Sequence, residues 1–138
     1  MAQHPGQEIA VGDRLVGKTF APISRHTLAL YCGASGDHNP IHVDLDFAQK
    51  AGFPDVFAHG MLVMGYLGQA LTDAVRPDAI RSFSTRFAAI TRLGAQLTCE
   101  GAVTEIFEAD GERRARLALT TRDATGEIKL AGEAIIAL

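Results

Sequence analysis

The chain has 138 residues, 47% hydrophobic and 21% charged, with a formal net charge of −3. That length supports a domain with a real core, and that composition argues against disorder. The mild negative charge gives no basis for general nucleic-acid binding, and two cysteines, Cys32 and Cys99, are too few for a disulfide scaffold and lack metal-ribbon spacing.

The N-terminus, MAQHPGQEIA, has no basic stretch followed by an apolar run and does not resemble a signal peptide. The longest apolar run, AHGMLVMGYLGQAL, is broken by His59 and Gln69 and is too short to span a bilayer, which takes ~20 residues. No membrane partner is expected. The two thiols suit a reducing compartment, and the expected address is cytoplasmic. No repeat, linker or low-complexity tract divides residues 1–138, which predicts a single domain.

Leu15 to Ile23 is predicted as a strand. Ser24 offers an N-cap for a helix over Arg25 to Ala34, with Leu28, Tyr31 and Cys32 at helical spacing. Pro40 disfavours helical geometry at Asn39, so the segment GDHNPIH, residues 36–42, is predicted as loop. Asp44 can cap a second helix, Leu45 to Ala51, which Gly52 would stop. FPDVFA follows as loop. The longest helix is predicted from Gly60 to Val75, and its apolar residues fall nearly all round, so it should be buried. Strands are predicted over Arg81–Ile90, Ala95–Glu108, Arg113–Asp123 and Glu127–Leu138, with EADGE and DATGE as hairpin turns. A long apolar helix followed by an antiparallel meander predicts an α+β fold in which the sheet covers the helix.

The chemistry concentrates in GDHNPIH. As a turn, Gly-Asp and Asn-Pro explain themselves, and Asp37 could serve its own backbone as an Asx-turn. The alternative is an acid–base couple. A rigid proline turn can bring Asp37 and His42 to one side, where carboxylate and imidazole act on one water and the Asn39 amide orients the water or the carboxylate. His38 and His42 stand four apart, a spacing suited to two metal ligands on a helix, but Pro40 between them breaks that helix, and no third ligand has matching spacing. No metal and no cofactor is expected. His59-Gly60 precedes the apolar helix, whose N-terminus carries unpaired N–H groups and a positive dipole end. Gly60 is either an oxyanion donor or a glycine that eases a loop into a helix; His59 is expected to bond the loop rather than the substrate.

The run Tyr31-Cys-Gly-Ala-Ser-Gly-Asp-His-Asn-Pro-Ile-His42, with Ala48 and His59-Gly60-Met61 downstream, resembles the hydratase-2 signature of MaoC-like (R)-specific enoyl-CoA hydratases and (R)-3-hydroxyacyl dehydratases. The resemblance covers nearly the whole chain. It implies a hot-dog fold, a long helix wrapped by an antiparallel sheet, and pairing into a homodimer or higher homo-oligomer. It also implies a hydro-lyase acting on acyl-CoA or acyl-carrier thioesters, with Asp37 and His42 holding the reactive water, Asn39 supporting them and the Gly60 N–H binding the thioester oxygen as it becomes an enolate. Arg81, Arg86 and Arg92 are candidates for meeting a carrier's acidic groups, against the plainer reading of solvated strand faces. The sequence departs from the family at Ala34 and at Phe87-Ala-Ala-Ile-Thr-Arg-Leu-Gly-Ala95, where a Phe-x-x-Pro-Val stretch with a downstream Gly-Asp is usual. Two other readings remain open: a hot-dog thioesterase, and a non-catalytic subunit of a heteromeric dehydratase.

Overall fold

The structure, a computed structural model, describes residues 8–138. Strand β1 (Arg14–Thr19) leads to helix α1 (Arg25–Ser35), a short 3₁₀ turn (Pro40–His42), helix α2 (Leu45–Lys50) and the long helix α3 (Gly60–Ala74). After a second 3₁₀ turn come β2 (Ile80–Phe87), β3 (Thr98–Ala109), β4 (Glu112–Arg122) and β5 (Ile128–Ala137). The five strands form one antiparallel sheet in the order β1-β3-β4-β5-β2. Helix α3 packs on β1, β3, β4 and β5. This is the α+β hot-dog arrangement.

The local signals explain the boundaries. Ser24 Oγ accepts the Thr27 N–H at 3.1 Å and starts α1. Gly36 ends α1 at φ 77, donating its N–H to the Cys32 carbonyl. Asp44 Oδ1 accepts the Phe47 N–H and starts α2. Asp110 and Gly111 both take positive φ, 52 and 72, in the β3–β4 turn, as a two-residue hairpin requires.

Three expectations need correction. First, β1 stops at Thr19 rather than Ile23. Phe20 and Ile23 still donate to the Leu97 and Ala95 carbonyls, but Pro22 between them has no N–H to continue a regular ladder. Second, β2 stops at Phe87 rather than Ile90; Ala88 donates to the Lys129 carbonyl and the chain then leaves the strand. Third, α3 is buried on one face only. Leu62, Val63, Leu67, Ala70 and Leu71 face the sheet, while Met61 is 56% exposed. The five-stranded sheet covers one side of the helix, and the other side presents Met61, Gly65, Gln69, Thr72 and Asp73.

The core centres on Leu67, Leu71, Leu97, Leu117 and Leu119, all essentially inaccessible. Leu67→Ala should cost about 2–5 kcal/mol through lost burial and a residual cavity. The check is a lower urea midpoint with an unchanged m-value. Among the described residues, no helix is long and apolar enough to cross a membrane.

Candidate active site

Gly36 turns the chain out of α1, and the residues after it are tied back to the helix end. Ser35 Oγ donates to the Tyr31 carbonyl at 2.6 Å and accepts the Asp37 N–H at 3.1 Å. Asp37 Oδ1 then accepts the Asn39 N–H at 3.2 Å, and Asn39 Oδ1 accepts the Ile41 N–H at 3.1 Å. Pro40 opens the 3₁₀ turn that delivers His42. Asp37 makes the Asx-turn with Oδ1, which leaves Oδ2 facing His42 Nε2 at 4.0 Å, so the turn does not exclude the acid–base reading. The Asn39 amide oxygen is used by its own turn, while its main-chain N–H is donated to Asp37 Oδ1.

His42 Nδ1 lies 2.7 Å from the Phe57 carbonyl. A carbonyl only accepts, so Nδ1 carries the proton, and in the neutral ring Nε2 presents a lone pair toward Asp37. At 4.0 Å the two groups do not bond directly, but both can reach one water placed beside the line that joins them. The Asp37 side chain is 51% exposed and that of His42 only 10%, so the carboxylate stands at the solvent side and the imidazole beneath it.

His59 completes the cluster. Its ring stacks on His42 with centroids 3.8 Å apart and planes 24° apart, and Tyr31 meets it edge-on at 4.7 Å. His59 Nε2 reaches the Asp37 carbonyl at 3.3 Å and Cys32 Sγ at 3.5 Å. As expected, His59 bonds the loop, and it is 1% exposed. Burial holds its imidazole below the ordinary value of 6.5, and the His42 charge adds to that; the Asp37 carbonyl opposes both. An unfolded chain takes up a proton at His59 below about pH 6.5, whereas the folded chain resists it. The stability contribution is therefore whole above 6.5 and lost as pH falls toward the lower folded value. Thermal melts between about pH 7 and pH 5 should show a falling midpoint, and His59→Gln should flatten that slope relative to the native chain.

Asp37, His42 and His59 each offer a ligand atom within 4.8 Å of the others, whereas His38 is exposed and outside the cluster. Two nearly parallel stacked rings direct their lone pairs along separate planes, a poor match to nitrogens converging on one ion at about 2.0–2.1 Å. The donor set suits proton transfer better than metal binding.

The other element is the start of α3. The first α3 backbone bond runs from the Leu62 N–H to the His59 carbonyl at 3.1 Å; among the described residues, the Gly60 N–H donates to no backbone acceptor. Gly60 lines a cavity of about 340 Å³ together with Phe57, Val63, Phe87, Ile90 and Leu130. Asp37 and His42 lie outside that lining, and Phe57 links the two: its carbonyl orients His42 while the residue borders the cavity. Of the candidate arginines, Arg81 is held bidentately by Glu112 at 2.9 and 2.8 Å, whereas Arg86 and Arg92 are exposed without an acidic partner among the described residues. The Phe57 carbonyl and the Cys32–His59 contact escape sequence reasoning. FPDVFA carries no signal beyond loop, and Cys32 sits in a helix whose periodicity already explains it.

The profile of the MaoC like domain matches residues 7–125. An (R)-specific enoyl-CoA hydratase of Rhodospirillum rubrum is 34% identical over 83% of this chain and 78% of its own length. A 3-hydroxybutyryl-CoA dehydratase of Methylorubrum extorquens is 33% identical over 83% of this chain and 72% of its own. The solved structure of R-hydratase PhaJ1 from Pseudomonas aeruginosa superposes with a TM-score of 0.82 at 30% identity, covering 94% of this chain and 83% of the other. A profile match over most of the chain, relatives aligned along most of their own lengths and a shared fold agree with the motif around Asp37 and His42: the chain belongs to the MaoC-like family of hydro-lyases.

Proposed function

We propose that the chain, acting as one hot-dog domain, adds water to 2-enoyl thioesters with (R) stereochemistry and, in reverse, dehydrates (R)-3-hydroxyacyl thioesters. Hydration needs an oxygen nucleophile at C3, a proton at C2 and stabilisation of charge on the thioester oxygen. Asp37 and His42 activate the water and return its proton, and the Gly60 N–H at the positive end of α3 receives the oxygen. The observation that carries this reading is the orientation of His42: Nδ1 is fixed by the Phe57 carbonyl and Nε2 faces Asp37 Oδ2 at 4.0 Å, near enough for both to hold one water. The names of the two sequence relatives support enoyl-CoA chemistry. No step calls for a cofactor.

Arg86 and Arg92 flank the Phe87–Thr91 wall and are free to meet the phosphates of a CoA or of an acyl-carrier headgroup; Arg81, paired with Glu112, is not. A cytoplasmic address fits the two free buried thiols, Cys32 and Cys99. The test is the purified chain with crotonyl-CoA, following loss of enoyl absorbance, with free-thiol release measured in parallel. Absorbance loss without thiol supports hydration. Thiol release alone returns the reaction to a thioesterase, and inertness of the chain by itself returns it to a non-catalytic subunit.

A homodimer or higher homo-oligomer belongs to the same reading. The sheet has two edge strands, β1 and β2, and Met61 and Phe87 leave apolar surface exposed beside the cavity. Light scattering at micromolar concentration should give at least twice the monomer mass; a monomer contradicts the paired arrangement.

A further inference from the structure

Lys129 is a buried cation that the proposed chemistry does not use. Its side chain is 4% exposed, and lysine is rarely buried unless paired. It enters the sheet as the extra residue of a β-bulge: Thr121 pairs with Leu130 and Arg122 with Ile128, so Lys129 has no partner on β4. Bulges re-aim side chains, and this one brings the lysine to the wall of the cavity that Gly60 borders. Its ammonium donates to the Ile90 carbonyl at 2.9 Å and is held by Asp123 at 3.4 Å and by Glu127. Its own carbonyl accepts the Ala88 N–H at 2.9 Å. One residue therefore grips both ends of Ala88-Ala89-Ile90, the stretch that leaves β2 and lines the cavity. The next residue, Thr91, is fixed from the opposite side by the Ala58 N–H at 2.8 Å. Ala88 and Ile90 are exposed and bring little packing of their own, so these polar ties hold the wall.

We propose that Lys129 is a specificity-determining positioning residue: by clamping Ala88–Ile90 onto β5 it sets the width of the apolar cavity beside Gly60, and with it the acyl chain length the enzyme prefers. The inference rests on the proposed hydratase reading, with this cavity taking the acyl chain. Its lining, mostly Phe, Val, Ala, Ile and Leu, suits a hydrocarbon. An ammonium already satisfied by two carboxylates and a carbonyl is not free to bind the substrate, so its effect passes through the wall.

The test uses the full chain and Lys129→Met, which keeps the apolar stem and removes the ammonium, with crotonyl-CoA and trans-2-octenoyl-CoA as probes. The released wall should yield to the longer chain, raising the octenoyl-to-crotonyl ratio of kcat/KM by ~5-fold or more, a modest part of what pocket contacts discriminate. Lys129→Arg, which restores a donor and the charge, should bring the ratio back toward the native value. An unchanged ratio in folded Lys129→Met overturns the proposal and leaves the hydratase reading standing. A native chain that hydrates neither probe overturns both. If Lys129→Met does not fold, Lys129→Gln is read in the same assay; failure of both to fold assigns the ammonium to stability alone and also overturns the proposal.

Discussion

Asp37→Asn and His42→Ala should each lower turnover by ~10²-fold or more in a protein that still melts cooperatively. The two groups lie 4.0 Å apart, Oδ2 at the solvent boundary and Nε2 beneath it, near enough to hold one water between them in a bent bridge. Asparagine keeps an acceptor for the Asn39 N–H, so the loop should survive while the base is lost. His42→Ala removes the imidazole that stacks on His59, so its melting curve must accompany the rate. Because the residues act as a unit, the double variant should be little worse than the worse single one. Near-native turnover in either folded variant removes that residue from the chemistry.

Gly60→Pro should lower kcat by ~10²-fold or more, the loss expected when an oxyanion donor is removed. Proline is accepted at the first position of a helix, and His59 before it already lies at φ −58, ψ 134, the extended geometry that a following proline favours. The substitution therefore deletes the N–H with little demand on the backbone. Gly60→Ala is the companion. It keeps the N–H, but its methyl would sit 3.0 Å from Phe87 Cε1 and 3.1 Å from Cδ1, closer than ordinary contact. The ring must shift by a few tenths of an ångström, and that ring lines the cavity. The alanine variant should thus raise KM more than it lowers kcat, and the proline variant should do the reverse, since the donor acts mainly in the transition state. A folded proline variant with native kcat means the oxygen is held elsewhere.

What the sequence reveals and what it hides follow a physical line. Ser24, Gly36, Asp44 and the Asp110-Gly111 turn act on backbone within a few residues, so their roles are legible from local spacing. So is the Asx-turn around Asp37. The orientation of His42 is not, because the atom that fixes it is a main-chain carbonyl 15 residues away, and any residue at position 57 would present one. The stack of His42 on His59 needs α1, the 3₁₀ turn and the start of α3 all in place, and no periodicity encodes that. Lys129 lies in a stretch that alternates poorly, and only the pairing register shows that it is the bulge residue. The overrun of the strand expected to Ile90 has the same origin: Ala88-Ala89-Ile90 is apolar enough for a strand, but after Ala88 its contacts are to a lysine side chain and a cavity rather than to a ladder. The one-sided burial of α3 shows a further limit. A mostly apolar helix sequence does not say which of its faces the sheet covers, and here it covers only that of Leu62, Val63, Leu67, Ala70 and Leu71.

The most direct measurement follows the oxygen. The purified chain is incubated with crotonyl-CoA in water enriched in oxygen-18, and the products are resolved by mass and by chirality. One labelled oxygen in the C3 hydroxyl of an intact (R)-3-hydroxybutyryl-CoA is the expected result, and Asp37→Asn should slow its appearance by ~10²-fold. Label in a free carboxylate with release of thiol, or an (S) product, would contradict the account.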